Sequence, residues 1–320
     1  MYSLAIWPVL LMTSFLVPVP NRPAPIPPVP VAITPFDFMM KEIQSAKVSG
    51  DWKLARWQPK ALQRELTSIV EQIRKITKDD SVALPIRFED VKPKGELPGN
   101  GFNELAVGAD FDLRSTFKSI ILADGSVKIG FAEDCVIIAR GGVYVAHGGG
   151  NVIIAGQAVH VSHDGNKVRA GADKGSLILA NVWLDVSHSN NGGIFSAPDL
   201  GIGFANATTI VNPQRVSISH KKQYAEHTEK NFRVFPSASN PLQKALTIDS
   251  LQYKDDWAQS RATFTDAEGK RLVVGIGNDF AVNGRSRPEL AGWRVTMISS
   301  GFVIVSNGTQ DVCFPKSGSR

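Results

Sequence analysis

The chain has 320 residues, of which 43% are hydrophobic and 20% charged, so it is long enough for two or three folded units of ordinary globular composition. Lysine and arginine exceed aspartate and glutamate by five (35 − 30). This excess is spread along the chain without a long basic run. The charge therefore favours solubility and argues against a nucleic-acid-binding protein.

The N-terminus carries an uncharged, apolar run at residues 4–17, which Pro18 and Pro20 end. The run is short for a membrane span and Pro8 interrupts it. Residues 1–20 are therefore expected to be a signal peptide, with a signal anchor as the alternative. Residues 21–35 are rich in proline and are expected to form an extended linker. The protein is expected to be exported to the periplasm, cell envelope or extracellular space, with membrane contact only through an uncleaved N-terminus.

Two helices are expected between residues 36 and 79. Thr34 is a suitable N-cap, Pro35 fits the first helical position, and Gly50 is a plausible end. A second helix after Pro59 has an apolar face that we expect to pack on the body of the protein, with a short oligomerisation helix as the alternative. That face consists of Leu62, Leu66, Ile69, Val70, Ile73 and Ile76. Residues 80–118, rich in proline and glycine, are expected to cap the next unit.

A sixteen-residue pattern repeats six times between residues 119 and 220. Each unit holds two short apolar runs separated by Gly, Asp or Asn, and the second run alternates as a strand does. Sixteen residues are too few for a strand and a crossover helix, so the pattern predicts a mainly β protein with a six-turn parallel β-solenoid. One step is 25 residues because of an insertion at about residues 167–175. Branched aliphatic residues at one repeat position predict the core: Val127, Val143, Val159, Leu184, Leu200 and Val216.

This repeat resembles right-handed parallel β-helix proteins and, in the length and simplicity of its turns, the bactofilin type of polymerising scaffold. The resemblance covers about a third of the chain and rests on periodicity. Bactofilins lack an exported N-terminus and a C-terminal domain of the kind expected here. The resemblance implies a structural protein that assembles with itself or with a protein partner.

The region after the repeat is expected to contain a linker, residues 221–244, and a small all-β, barrel-like domain, residues 245–320. Short apolar strands alternate there with turns at residues 266–269, Asn283-Gly284 and Asn307-Gly308. The segments DAEGKRLVVGIGNDFAVNG and GWRVTMISSGFVIVSNG resemble the small periplasmic β domain of pilus-assembly and type II secretion inner-membrane proteins. That resemblance implies a place in a secretion or pilus-like assembly.

One position of the repeat carries an aromatic or imidazole ring in every unit. It shares the parity of the predicted core residues Val143 and Val145, so we expect a structural stack of rings inside the solenoid. Because histidine is the commonest metal ligand, a shared metal ion is the alternative, although no metal or cofactor is expected. The column consists of Phe131, His147, His163, His188, Phe204 and His220.

Positions of the opposite parity place Tyr144, His160 and Asp185 on one surface column, with Trp183 beside it. An exposed aromatic residue next to a histidine and a carboxylate is typical of a sugar- or peptide-binding patch, or of an acid–base site. A solvated face is the plain alternative. These four residues are the candidate ligand-binding site.

The sequence contains no zinc-spaced Cys/His cluster, phosphate loop, Rossmann glycine fingerprint or nucleophile elbow. We therefore expect a non-enzymatic structural scaffold of the cell envelope or secreted space. The alternative is a carbohydrate-binding or carbohydrate-active β-helix that holds a polysaccharide on the face of Tyr144, His160, Trp183 and Asp185. Cys135 and Cys313 are expected to be independent thiols, with a disulfide between them as the alternative.

Overall fold

The computed structural model describes residues 33–54, 57–93, 101–165, 175–236, 240, 242–254, 257–278, 280 and 290–316. The predicted signal segment, most of the proline-rich linker, residues 167–174 of the predicted insertion and the Asn283-Gly284 turn lie outside these ranges. The described chain has the predicted fold class, with helices first, then a parallel β-solenoid, then a small antiparallel β domain. None of the helices in these ranges is long and apolar enough to cross a membrane.

The helical segment contains α1 (Pro35–Ser49) and α2 (Lys60–Thr77), and a short α3 (Leu242–Ala245) comes much later. The predicted cap of α1 is confirmed: the Thr34 hydroxyl accepts from the Asp37 N–H at 3.2 Å, and the Asp37 carboxylate accepts from the Thr34 N–H at 3.2 Å. Gly50 ends the helix in the left-handed conformation, which glycine adopts without steric cost. Single 3₁₀ turns lie at Asp51–Leu54, Phe88–Asp90 and Trp257–Gln259.

The solenoid consists of two parallel sheets whose strands alternate along the chain. Sheet A has nine strands: β1 (Lys92–Pro93), β3 (Glu104–Gly108), β5 (Ile120–Ala123), β7 (Val136–Ala139), β9 (Val152–Ala155), β11 (Leu177–Ala180), β13 (Ile194–Ser196), β15 (Thr208–Val211) and β17 (Tyr224–His227). Sheet B has eight: β2 (Gly101–Phe102), β4 (Phe111–Phe117), β6 (Val127–Glu133), β8 (Val143–Gly149), β10 (Ala158–Asp164), β12 (Trp183–Ser189), β14 (Asp199–Ala205) and β16 (Arg215–Lys221).

The sixteen-residue register predicted for the turns is confirmed. Val143 pairs with Val159, sixteen residues on, and Val159 pairs with Leu184 across the longer step. The extra residues between β10 and β11 therefore lengthen one step of the repeat, but the strands that follow keep their register.

The solenoid has about seven turns rather than six, because strands also form on both sides of the predicted repeat. Leu105 pairs with Ile120, fifteen residues on, whereas Phe111 pairs with Val127, sixteen on. Because this spacing is one residue shorter, the sixteen-residue repeat did not reveal the extra turn. The turn lies in the region predicted to be the cap, residues 80–118. At the other end, β17 pairs with β15, so the predicted linker at 221–244 begins with a solenoid strand. No residue of β17 is buried, so no run of core apolar residues marks this strand in the sequence.

Helices and sheets form layers around two apolar cores. The first core fills the space between the sheets, where Ile137 and Ile153 of sheet A meet Val143 and Val159 of sheet B. The second lies on the outer face of sheet A, against α1 and α2. Strands β5, β7, β9 and β11 are buried at every residue because both of their faces are covered. The apolar face of α2 thus packs on the body of the protein, as expected.

The C-terminal domain contains two antiparallel three-stranded sheets that share a core. Sheet C has β18 (Leu246–Gln252), β19 (Arg261–Asp266) and β20 (Arg271–Gly275). Sheet D has β21 (Arg294–Ile298), β22 (Phe302–Ser306) and β23 (Asp311–Pro315). The predicted turn at 266–269 is present, since the Asp266 N–H donates to the Lys270 carbonyl.

Candidate functional site

The predicted ring column forms a stack along the solenoid. The imidazole centroids of His147 and His163 are 4.8 Å apart, as are those of His163 and His188, and the planes are tilted by 17° and 5°. Phe204 continues the column with its centroid 6.4 Å from that of His188. Phe131 pairs with His147, and His220 with Phe204, in the same register.

The stack lies on the surface, which corrects the expectation that it fills the interior. His147 and His188 are exposed and His163 is half-buried. In β8 the residues facing the core are Val143, Val145 and then Gly148, so the two-residue alternation breaks at Ala146. Counting alternate residues from the core valines therefore places the histidines on the interior side, whereas they lie on the surface.

The surroundings of His163 favour its neutral form. Desolvation lowers the pKa of this imidazole below 6.5, and the charges that His147 and His188 carry when protonated lower it further. Within the described chain, no three His, Cys, Asp or Glu residues lie where they could hold a metal ion.

In the second column Tyr144, His160 and Asp185 contact one another in series, and Trp183 belongs to the apolar cluster against which Tyr144 packs. The rings of Tyr144 and His160 stack with centroids 5.2 Å apart and planes 4° from parallel. On the other side, His160 Nδ1 lies 2.9 Å from Asp185 Oδ2 in the next turn. His160 is buried, while the Asp185 side chain keeps about a quarter of its surface exposed (24%).

Ser162 completes this group and was not among the predicted residues. Its hydroxyl oxygen lies 3.2 Å from His160 Nε2. Ser162 follows His160 by two positions on β10, and side chains at that spacing share a face of a strand. The two-residue spacing of His160 and Ser162 in the sequence could have indicated that their side chains lie on the same face. The result is a continuous contact chain from Asp185 through His160 to Ser162.

The C-terminal domain covers Trp183, one of the four residues expected to bind a ligand. Trp183 is 8% exposed and packs against Met297 and Phe302 of sheet D. The Tyr144 hydroxyl contacts that of Tyr253 at 3.2 Å. Trp183 is therefore an interface residue rather than an exposed platform, because sheet D packs on sheet B. Sequence periodicity describes each unit separately and does not reveal which faces meet.

Charged and polar contacts hold the C-terminal domain in place. Arg140 Nη1 contacts Asp311 Oδ2 at 2.6 Å, and Arg140 Nε contacts Asp124 Oδ1 at 2.9 Å. The backbone N–H of Cys313 donates to Gln157 Oε1 at 2.9 Å. Burial raises the pKa of the Asp311 carboxyl, and the Arg140 charge opposes that rise. These contacts fix sheet D over the middle turns of sheet B.

Small polar residues line the turn between the two sheets and bond from one turn to the next. Asn151 Oδ1 accepts from the Cys135 N–H at 2.9 Å, and the Asn151 N–H donates to Ser176 Oγ at 3.1 Å. The Asp164 carboxylate accepts from the Ser176 N–H at 3.0–3.1 Å. Burial raises the pKa of Asp164 to about 6, although these hydrogen bonds lower it.

The two cysteines are separate, buried thiols, as expected. Burial raises the pKa of Cys135 to about 12 and also raises that of Cys313. A thiol held in this neutral form is a poor nucleophile.

The last turn of the solenoid is open. Val216 and Ile218 of β16 occupy the columns of Leu200 and Ile202, which are 2% exposed, yet both are only half-buried. Within the described chain, no strand pairs with the outer edge of β16 or of β17. The interior therefore meets solvent at this end.

Together these features define a β-solenoid protein with helices on one sheet, a β domain on the other and an open last turn. Comparisons of the chain with protein-family models, with curated proteins and with solved structures found no match.

Proposed function

We propose that this protein is an exported structural scaffold that assembles through the open last turn of its solenoid. The observation that carries the proposal is the exposure of Val216 and Ile218 at positions that are buried in every other complete turn. The helices pack on the outer face of sheet A, and sheet D packs on part of the outer face of sheet B. The open last turn is where core positions of the solenoid meet solvent.

The backbone of β16 supports association by strand pairing. The Arg215 N–H donates to the Pro198 carbonyl at 2.9 Å, toward the preceding turn. Because successive backbone groups of a strand point to opposite sides, those of Val216 and Ile218 point to the open side. An added strand would satisfy them and cover the two half-buried side chains.

The occupant we propose is a second copy of the chain, related by a two-fold axis. Antiparallel pairing of two β16 strands centred on Ile218 places Ile218 opposite Ile218 and Ser217 opposite Ser219. Such self-complementarity is what a two-fold interface requires. The resemblance of the turns to bactofilin-type polymers agrees with assembly of this kind.

Charge near this end limits the strength of association. Residues 213–233 hold five basic side chains against two acidic ones, Glu226 and Glu229. The guanidinium of Arg215 is paired with the Asp199 carboxylate. Two such ends repel, and salt screens that repulsion over about 10 Å at 0.1 M. Self-association through this surface therefore strengthens as salt concentration rises.

The test is the mass of the chain in solution, measured by sedimentation at several protein and salt concentrations. We expect a monomer–dimer equilibrium that shifts to the dimer with salt, and Ile218→Lys should abolish it. Val273→Lys is the matched control, because Val273 is an exposed valine on β20 of the C-terminal domain. A parent chain that stays monomeric at every concentration, or an Ile218→Lys variant that still dimerises, refutes the proposal.

Export is the second part of the proposal and rests on the apolar run at 4–17 and the prolines after it. The resemblance of residues 266–308 to a periplasmic β domain supports a place beside a secretion or pilus-like assembly. Fractionation of cells that express the full chain tests it, and recovery in the cytosol with an intact N-terminus contradicts it. The carbohydrate-binding alternative is not put forward, because the Trp183 side chain is covered by sheet D.

A further inference from the structure

Asp185, His160 and Ser162 form a relay on the outer face of sheet B. The distances are 2.9 Å from Asp185 Oδ2 to His160 Nδ1 and 3.2 Å from His160 Nε2 to Ser162 Oγ. We propose that Ser162 is a nucleophile for acyl transfer from small carboxylic esters, with His160 as its general base and Asp185 as the positioning residue. This activity is additional to the scaffold role and independent of the open end.

The geometry fits the three roles, which are recognised by arrangement rather than by sequence order. A carboxylate that accepts from the Nδ1–H fixes the imidazole tautomer with its Nε2 lone pair toward the serine hydroxyl. The distance of 3.2 Å is within reach for proton transfer. Ser162 and His160 share one strand, and Asp185 is the strand partner of His160 in the next turn, so the backbone ladder sets all three positions.

Packing holds the imidazole in this orientation. The Tyr144 ring stacks parallel to that of His160, and the His160 side chain is only 7% exposed. On the far side, a Cβ atom at Gly301 would lie 3.7 Å from Asp185 Oδ2, so the C-terminal domain lies beside the carboxylate. A buried imidazole beside a fixed carboxylate loses little further freedom when it accepts a proton.

The serine, by contrast, stays accessible. It is half-buried, and the same position in the turns on either side carries Ala146 and Ser187, also half-buried. Small side chains therefore flank the Ser162 hydroxyl on both sides along the column. The turns rise by about 4.8 Å each, so the acyl and alcohol parts of a small ester can lie along neighbouring turns.

Acyl transfer at Ser162 takes place in two stages. Ser162 Oγ attacks the ester carbonyl carbon as its proton passes to His160 Nε2, and the new C–O bond gives a tetrahedral intermediate. The bond to the alcohol then breaks, and the alcohol leaves with the proton from Nε2. Water attacks the acyl-serine in the same way and releases the carboxylic acid. No oxidant or cofactor takes part.

The test treats the full chain with a fluorophosphonate probe, which forms an Oγ–P bond and releases fluoride, and maps the adduct by mass spectrometry. We expect the adduct on the peptide that contains Ser162, and slow hydrolysis of p-nitrophenyl acetate. Ser162→Ala should abolish both. Ser187→Ala is the matched control, because its hydroxyl occupies the same position one turn on, and it should react as the parent does.

The positioning role of Asp185 is tested separately. Asp185→Asn should slow the labelling by about 100-fold or more, because the amide no longer fixes the tautomer. Asp185→Glu should restore part of the rate, which a purely structural role would not predict. Melting curves and sedimentation confirm that each variant is folded and assembles as the parent does. No adduct at Ser162 in the folded parent, or equal labelling of Asp185→Asn and parent, overturns the proposal.

Discussion

The imidazole rings of His163 and His188 lie 4.8 Å apart and within 5° of parallel, although 25 residues separate them in the chain. His147 and His163 show the same ring separation across only sixteen residues. Strand pairing, not sequence distance, therefore sets the stack. Residues inserted between the strands leave the column intact.

The histidine stack makes stability depend on pH. Because the folded protein lowers the pKa of His163 below its ordinary 6.5, the folded state binds this proton less tightly than the unfolded state does. The contribution of His163 to the free energy of unfolding is present above pH 6.5 and is lost as the pH falls below that value. Replacing His163 with Phe, which stands in the column at 131 and 204, should be tolerated and should flatten the dependence between about pH 7 and 5.

Urea unfolding across that pH range is the measurement for the histidine stack. His220→Phe serves as the control, since its neighbour in the stack, on β14, is Phe204 rather than a histidine. If both variants changed the slope equally, the stacked histidines would not be its source.

Asp164 should act in the opposite direction. Its pKa is about 6 in the folded protein against an ordinary 3.8, so the folded state holds the proton more tightly. The stabilisation is complete below about pH 4 and is lost as the pH rises through about 6. The shift of about two units corresponds to about 3 kcal/mol. In Asp164→Asn this decline in the free energy of unfolding should vanish.

The comparison for Asp164 is Asp112→Asn, in which an exposed carboxylate is changed and the parent profile should persist. Parallel pH profiles for the parent and Asp164→Asn would show that the buried carboxyl does not govern stability in this window.

Trp183 should anchor the C-terminal domain to the solenoid. Truncating a buried tryptophan typically costs about 3–5 kcal/mol, and here the cavity would open between sheets B and D. We expect Trp183→Ala to lower the melting temperature and to speed proteolysis between residues 228 and 245. Val273→Ala, on the exposed side of the same domain, should leave both unchanged. An unchanged proteolysis rate in Trp183→Ala would mean that other contacts hold the domain.

The interior of the solenoid should reject a charge. Val145 is completely buried between the sheets, so Val145→Asp would place an unpaired carboxylate among aliphatic side chains. We expect loss of the folded protein by circular dichroism. Val273→Asp, the same change at a valine that is 63% exposed, should fold normally. A Val145→Asp variant that melts near the parent would contradict the assigned register.

Periodicity predicted the solenoid, its sixteen-residue turns and the alignment of both ring columns, because strand partners repeat chemically as well as spatially. It missed the turn containing Leu105 and Phe111, where one residue fewer lies between the strands. It also placed His147 on the wrong side, because the alternation of buried and exposed residues in β8 breaks at Ala146. Trp183 is buried by the C-terminal domain, whose sequence does not share the solenoid repeat. No local sequence pattern could therefore predict that contact.

The helices on sheet A have a consequence for how the molecule unfolds. A bare stack of turns contacts only its neighbours and can fray one turn at a time. Here α1 and α2 share a core with residues from Leu105 in the first complete turn to Val211 in the last. Unfolding any turn covered by the helices would therefore remove apolar contacts from α1 and α2, which also stabilise the other turns. The helices should make most of the solenoid a single cooperative unit, while β16 and β17, outside their cover, exchange backbone hydrogens first.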